Sequence, residues 1–168
     1  MCLYSAIDIR SSRSRGPLSI RGGMRGHTWI TVEDCSSSND QIVSSEHTFS
    51  FGPDSGHTDK EYFWGVPGGY WPIESYTDLT NFVVSKKCWE QGSSACKAIK
   101  DDINKSYPKE FSLSDYCTST AVVFLRNHGI VPPSGIGEIE IPGPNVSRPN
   151  PRDMYQQIIE SGGTDIKR

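Results

Sequence analysis

The chain has 168 residues, the length of one domain with a single hydrophobic core, and we expect one domain over residues 1–168. A formal net charge of −3 argues against general nucleic-acid binding, which needs a basic face. No stretch approaches the ~20 apolar residues of a membrane-spanning helix, and the first residues lack the basic and apolar regions of a cleaved signal peptide. The sequence therefore predicts a protein that is made in the cytoplasm, has no membrane span and does not bind nucleic acid.

The first half of the chain predicts strands. Residues 2–9 alternate apolar and polar side chains, and residues 26–33 and 41–51 combine that alternation with aromatic and β-branched residues. The latter two segments, separated by a turn-rich stretch, are predicted to form an antiparallel hairpin. A further strand is predicted at 79–85. The 16 glycines and 11 prolines also favour a strand-rich and loop-rich fold over a helical bundle.

The second half predicts three helices. Residues 95–105 carry apolar side chains at helical spacing, and a second, more apolar helix follows near Cys117. The third begins after Asn150, a suitable N-cap, with Pro151 at its first position. Residues 132–149 are rich in proline and glycine and are predicted to be irregular. Together with the strands, these helices predict an α+β fold.

Cys117 is the first candidate catalytic residue. It precedes an apolar stripe at helical spacing, which places it in the first turn of a mostly buried helix. Gly129 follows as a C-cap. The partial positive charge at a helix N-terminus favours a thiolate and lowers the pKa of a cysteine thiol. A small structural cysteine in the core is the alternative interpretation.

His27 is the second candidate. It stands at the start of a predicted strand, where an imidazole can project into a cleft and accept the proton of a thiol. An ordinary surface histidine at a strand edge is the alternative. A catalytic base also needs a polar partner that fixes its ring. His47, on the second strand of the predicted hairpin, is the first choice for this partner, with Glu46 and Asp34 as alternatives.

Aromatic residues between positions 61 and 71 are candidates for substrate binding, because aromatic faces stack on sugars and apolar groups. Packing of this segment on the core is the alternative. The candidates are Tyr62, Trp64 and Trp71.

The five cysteines contain no CxxC spacing, so no structural zinc site is predicted, and no other metal or cofactor is expected. Cys88 and Cys96 flank a short loop and are candidates for a disulfide, with two free thiols as the alternative. If they pair, Cys117 is the natural thiol to remain free.

Several of these segments resemble one enzyme family. A Gly26-His27-Thr28-Trp29-Ile30 strand comes early, and Asp115-Tyr116-Cys117-Thr118 comes much later, before Gly129-Ile130 and a proline. This order resembles the circularly permuted papain-like thiol hydrolases of the NlpC superfamily, in which the base histidine precedes the nucleophilic cysteine. Relatives often carry asparagine directly before the cysteine. Tyr116 stands there in this chain, so no role of that asparagine is transferred.

The resemblance implies a fold and an activity. A helix carrying Cys117 would pack against an antiparallel sheet carrying His27, and the protein would be a cysteine amidase or endopeptidase that cleaves peptidoglycan stem peptides or crosslinks. It further implies similarity to the antibacterial amidase effectors that bacteria inject by type VI secretion. Such toxins act in the periplasm of a target cell and are neutralised by an immunity protein.

Two other functions stay open at the level of the sequence. One is a permuted papain-like thiol hydrolase or acyltransferase that acts on lipid or isopeptide substrates. The other is a non-catalytic binding domain in which Cys117 belongs to the core.

Overall fold

The computed structural model describes residues 1–8, 26–32, 47–53, 65–73, 82–112, 115–139 and 146–166. Four of the candidate residues lie outside these ranges: Asp34, Glu46, Tyr62 and Trp64.

The described part of the chain contains three helices, none long and apolar enough to cross a membrane. They are α1 (Ser93–Ile103), α2 (Cys117–Asn127) and α3 (Pro151–Glu160). The strands are β1 (Cys2–Asp8), β2 (Gly26–Thr31), β3 (Thr48–Phe49), β4 (Phe51–Pro53), β5 (Val66–Tyr70), β6 (Phe82–Cys88), β7 (Glu110–Phe111), β8 (Ile136–Ile139), β9 (Val146–Pro149) and β10 (Thr164–Ile166).

The largest sheet has five strands in the order β10–β6–β1–β2–β3, and each neighbouring pair is antiparallel. The predicted hairpin is confirmed, since Ile30 pairs with Phe49 and Thr31 with Thr48. Strands β4, β5 and β7 form a second antiparallel sheet, and β8 pairs with β9. This mixed arrangement of helices and antiparallel sheets is compatible with the predicted α+β class.

Side chains of the central sheet alternate between its two faces. One face carries Leu3 and Ile30, which are fully buried in the main core together with apolar side chains of α2 and α3. The other face carries Trp29 and Val84, which belong to a smaller buried cluster. Strand β2 is therefore covered on both faces, and residues along it contact different parts of the core.

Local signals place the ends of α2 and α3. Helix α2 begins at Cys117, as predicted, and the residue after its C-cap, Gly129, has the left-handed backbone that glycine adopts without strain (φ 77°). Helix α3 begins at Pro151, and the Asn150 side chain accepts a hydrogen bond of 2.9 Å from the Asp153 N–H. The predicted cap of this last helix is confirmed.

The prediction of an irregular segment over residues 132–149 was wrong in part. Strands β8 and β9 form an antiparallel ribbon within it, in which Ile136 pairs with Pro149. Pro149 ends its strand, where a missing N–H disturbs a ladder least. The proline and glycine content of this segment concealed two short strands.

The predicted pairing of Cys88 with Cys96 was also wrong. Cys88 forms a disulfide with Cys2, its direct neighbour across the β1–β6 ladder. Cys96 is disulfide-bonded as well, so the alternative of two free thiols is wrong too. Cys117 is a free cysteine, and the disulfide of Cys2 ties the central strand β1 to β6.

Candidate active site

The sulfur of Cys117 lies where α2 meets β2. The residue is 4% exposed, and it packs with the main core at the first position of α2. Backbone N–H groups of Thr28, Thr118 and Cys117 itself are directed at the sulfur. The Thr118 hydroxyl lies 3.7 Å from it. The site thus joins a helix N-terminus to the strand that carries His27.

Burial decides the protonation state of this thiol. Loss of solvent raises the pKa of Cys117, and hydrogen bonds to the thiolate from the surrounding N–H groups and from the Thr118 hydroxyl lower it only in part. The expectation that the helix N-terminus gives a lowered pKa is therefore corrected. In the resting protein, Cys117 is a thiol at neutral pH.

His27 is buried and directly precedes Thr28 in β2. Its ring stacks on that of Trp29, with 5.9 Å between the ring centroids and 17° between the planes. Consecutive side chains of a strand point to opposite faces, and Thr28 faces α2, where its hydroxyl lies 2.9 Å from that of Thr118. Among the described residues, no hydrogen bond joins the imidazole of His27 to the sulfur of Cys117. Burial lowers the pKa of His27 from 6.5 to about 3, so the ring is neutral at pH 7.

Ser50 fixes the tautomer of His27. The Ser50 hydroxyl donates to the Trp71 carbonyl at 2.7 Å, which uses its only hydrogen. The 2.6 Å contact between Ser50 Oγ and His27 Nε2 must then be a bond in which Nε2–H donates. A neutral imidazole carries one ring hydrogen, so Nδ1 is the basic nitrogen of His27.

The backbone of Ser50 is itself held on both sides. Its N–H donates to the Tyr107 hydroxyl at 3.0 Å, and its carbonyl accepts from the Trp71 N–H at 2.8 Å. Tyr107 in turn donates to the Thr48 carbonyl at 3.3 Å. Ser50 therefore has little freedom to move away from the imidazole, which suits a residue that orients a base.

His47 does not take the role of third residue that was predicted for it. Its carbonyl accepts from the N–H of Val32, five positions along β2 from His27, or roughly 16 Å at the rise of a strand. The hairpin was predicted correctly, but its register puts His47 at the opposite end of β2. The structure brings Ser50 to His27 instead. The alternation over residues 41–51 puts Ser50 on the face opposite His47, and this is the one signal in the sequence that bears on Ser50.

Trp71 is the one predicted substrate-binding residue that the structure describes. It is half-buried, and its backbone forms both hydrogen bonds to Ser50. The aromatic segment thus reaches the candidate site through this residue.

Comparison of the chain with protein-family models, curated proteins and solved structures found no match. The relationship to the permuted papain-like hydrolases therefore stays a proposal.

Proposed function

We propose that this protein is a cysteine amidase or endopeptidase with a permuted papain-like arrangement, in which Cys117 is the nucleophile and His27 the base. The observation that carries the proposal is the position of Cys117 at the start of α2, with the N–H of Thr28 directed at its sulfur. Thr28 follows His27 directly in β2, so the thiol and the base lie on touching elements. The order of His27 before Cys117 along the chain agrees with the resemblance.

The electrostatics define how the reaction starts. Both groups are neutral at rest, because burial raises the pKa of Cys117 and lowers that of His27. The reaction therefore begins from a thiol and an imidazole rather than from an ion pair. The ring of His27 lies on the face of β2 opposite Thr28, so attack requires the imidazole to turn toward α2 until Nδ1 reaches the sulfur. Nδ1 then takes the thiol proton while the sulfur bonds to the amide carbonyl carbon. The N–H of Cys117 is a donor for the oxyanion that forms.

The remaining steps follow the chemistry of thiol hydrolases. The protonated His27 gives its proton to the leaving amine as the C–N bond breaks, which leaves a thioester on Cys117. His27 then removes a proton from water, and the hydroxide adds to the thioester carbonyl. The C–S bond breaks, the carboxylic acid product leaves, and His27 returns the proton to the sulfur. The bond to Ser50 keeps the hydrogen on Nε2, so Nδ1 is the nitrogen that exchanges protons in each of these transfers.

The substrate class comes from the resemblance: stem peptides or crosslinks of peptidoglycan. The half-buried Trp71 is an aromatic residue whose backbone bonds Ser50, the partner of the base. The Cys2–Cys88 disulfide suits an oxidising compartment such as the periplasm. Both features support the proposal of an antibacterial effector that acts in the periplasm of a target cell and has an immunity protein as partner.

Digestion of purified peptidoglycan sacculi tests the proposal. Wild type is expected to release fragments whose masses identify the cleaved bond, whereas Cys117→Ala and His27→Ala are expected to release none. His128→Ala is the matched control, because it removes a half-buried imidazole at the far end of α2. Intact sacculi together with rapid alkylation of Cys117 would contradict the peptidoglycan substrate and favour a lipid or isopeptide substrate.

A second candidate function is favoured by the burial of the site. Cys117 is 4% exposed, its pKa is raised, and its hydrogen-bond partners among the described residues do not include the imidazole. These features are those of a structural cysteine in a non-catalytic binding domain. Such a thiol would resist iodoacetamide until the protein unfolds, and the sacculi would stay intact.

Ser50→Ala is expected to lower the rate of substrate cleavage about a hundredfold, because the imidazole is then no longer held in the orientation and tautomer needed to take the thiol proton. Nitrogen NMR of the imidazole should show that Nε2–H no longer predominates in His27, a change that a purely structural serine would not cause. Ser50→Thr keeps the hydroxyl and should restore the tautomer. Wild-type cleavage and an unchanged tautomer in Ser50→Ala would contradict the assignment.

A further inference from the structure

A buried chain of hydroxyl groups runs from the sulfur of Cys117 across one face of the central sheet to α3. Thr118 Oγ1 lies 3.7 Å from the sulfur and 2.9 Å from Thr28 Oγ1. Thr28 Oγ1 lies 3.2 Å from Ser5 Oγ, which lies 2.7 Å from the carbonyl oxygen of Pro151. The three hydroxyl residues have no exposed surface, so bulk water does not exchange with these bonds.

The contact at Pro151 fixes the hydrogens of the whole chain. A carbonyl oxygen only accepts, so Ser5 uses its single hydroxyl hydrogen there. Ser5 must then accept from Thr28, and Thr28 must accept from Thr118. The Thr118 hydroxyl thus donates its one hydrogen to Thr28. A hydrogen bond between Thr118 and the sulfur then forms only if the Cys117 S–H donates.

The opposite order leaves one contact without a hydrogen. If Thr118 donated to the sulfur, the single hydrogen of Thr28 would face two oxygens, those of Ser5 and Thr118. One of these two buried oxygen–oxygen contacts would then have no hydrogen between its atoms and would not be a hydrogen bond, which is unfavourable away from water. A hydroxyl that donates to sulfur favours the thiolate, so the order fixed at Pro151 acts together with burial to favour the thiol.

We propose that Ser5 is a positioning residue for Cys117: through Thr28 and Thr118 it orders the hydroxyl hydrogens so that the resting sulfur keeps its own. When the thiolate forms, the Thr118 hydroxyl turns toward the sulfur and the thiol proton passes to His27. The nucleophilic role of Cys117 rests on the proposed function, whereas the order of the hydrogens does not.

Charged and titratable groups on the elements packed against α2 take no part in this chain. Strand β2 contributes His27, Tyr116 precedes α2, and β9 contributes Arg148. Helix α3 contributes Arg152 and Asp153, which form an ion pair of 3.4 Å, and β4 carries no titratable residue. Ser5→Ala leaves all of these groups in place.

The test compares Ser5→Ala with Ser85→Ala. In Ser5→Ala, Thr28 is released to donate to Thr118, and Thr118 to donate to the sulfur. The pKa of Cys117 should fall by about one unit, and the thiolate fraction at neutral pH should rise about tenfold, the effect of one added hydrogen bond to a charged group. The readout is the ultraviolet absorbance of the thiolate against pH, as a difference from Cys117→Ser, which requires no access of a reagent to the buried sulfur.

Ser85→Ala is the matched control. Ser85 lies directly opposite Ser5 on β6, is fully buried, and forms no hydrogen bond through its hydroxyl within the described part of the chain. Its removal should leave the titration of Cys117 unchanged. A shift in both serine variants would overturn the proposal, because it would reflect general loosening of the sheet.

A second variant protects the test against misfolding. Thr28→Val preserves shape and breaks the chain one link nearer to the sulfur, so it should shift the titration in the same direction. An unchanged or raised pKa in folded Ser5→Ala or Thr28→Val overturns the proposal. The measurement needs no substrate, so intact sacculi with a shifted titration would reject only the proposed function. Cleaved sacculi with an unshifted titration would reject only the role of Ser5.

Discussion

Removal of the Cys2–Cys88 disulfide is expected to lower the free energy of unfolding by about 4 kcal/mol, the loop-closure entropy of a crosslink that spans so much of the chain. The two cysteines are 86 positions apart, so the bond restricts half of the unfolded chain. Chemical denaturation of Cys88→Ala against wild type measures the effect. Cys88 is exposed, so its truncation leaves no cavity. A reductant is a poorer test, since it also opens the disulfide of Cys96.

The double variant Cys2→Ala/Cys88→Ala separates the crosslink from packing. Cys2 is 1% exposed, so the double variant should be somewhat less stable than Cys88→Ala, by the cost of a small cavity. A loss below about 1 kcal/mol in Cys88→Ala would contradict the prediction. It would mean that the unfolded chain already keeps β1 close to β6. A large loss would make the fold dependent on an oxidising compartment.

The partner of Cys88 in this disulfide could not be predicted from the sequence. Cys88 and Cys96 invite pairing because they flank a short loop, and loop length is readable from the sequence. The observed partner, Cys2, faces Cys88 only because β1 and β6 pair in one particular register across the sheet. No local pattern specifies that register. By contrast, the starts of α2 at Cys117 and α3 at Pro151 were predictable because caps and apolar spacing are local signals.

In the candidate site, too, local patterns were predictive and tertiary contacts were not. Cys117 and His27 were identifiable because each belongs to an element with a strong local signal. Ser50 was not, since it is an ordinary serine whose role depends on the break between β3 and β4 and on the carbonyl of Trp71. The hairpin between β2 and β3 was correct, yet its register carries His47 away from His27.

Burial explains why the pKa of Cys117 differs from the sequence-based expectation. From the sequence, a helix N-terminus lowers the pKa of a cysteine. In the structure, Cys117 lies in the core, and desolvation outweighs the N–H groups that surround the sulfur. The depth of a side chain is a property of the packed fold, so the protonation state of the thiol could not be predicted from the sequence.

Acidification is expected to destabilise the fold through His27. Its pKa is about 3 in the folded protein and 6.5 in the unfolded chain, so between these values only the unfolded state binds the proton. The free energy of unfolding therefore falls as the pH drops through this window and is unaffected by His27 above pH 6.5. From pH 7 to pH 4 the contribution amounts to about 3 kcal/mol.

Denaturation of wild type and His27→Gln at several pH values between 7 and 4 measures this contribution. Glutamine keeps an N–H donor for Ser50 and does not titrate, so the variant should lose stability less steeply as the pH falls. His47→Gln removes a less buried imidazole and is the matched control. If His27→Gln follows the wild-type profile, the imidazole takes up its proton within the folded protein. Its pKa would then be near neutrality, where a general base is most effective, and the buried ring would be more accessible to protons than its position in β2 indicates.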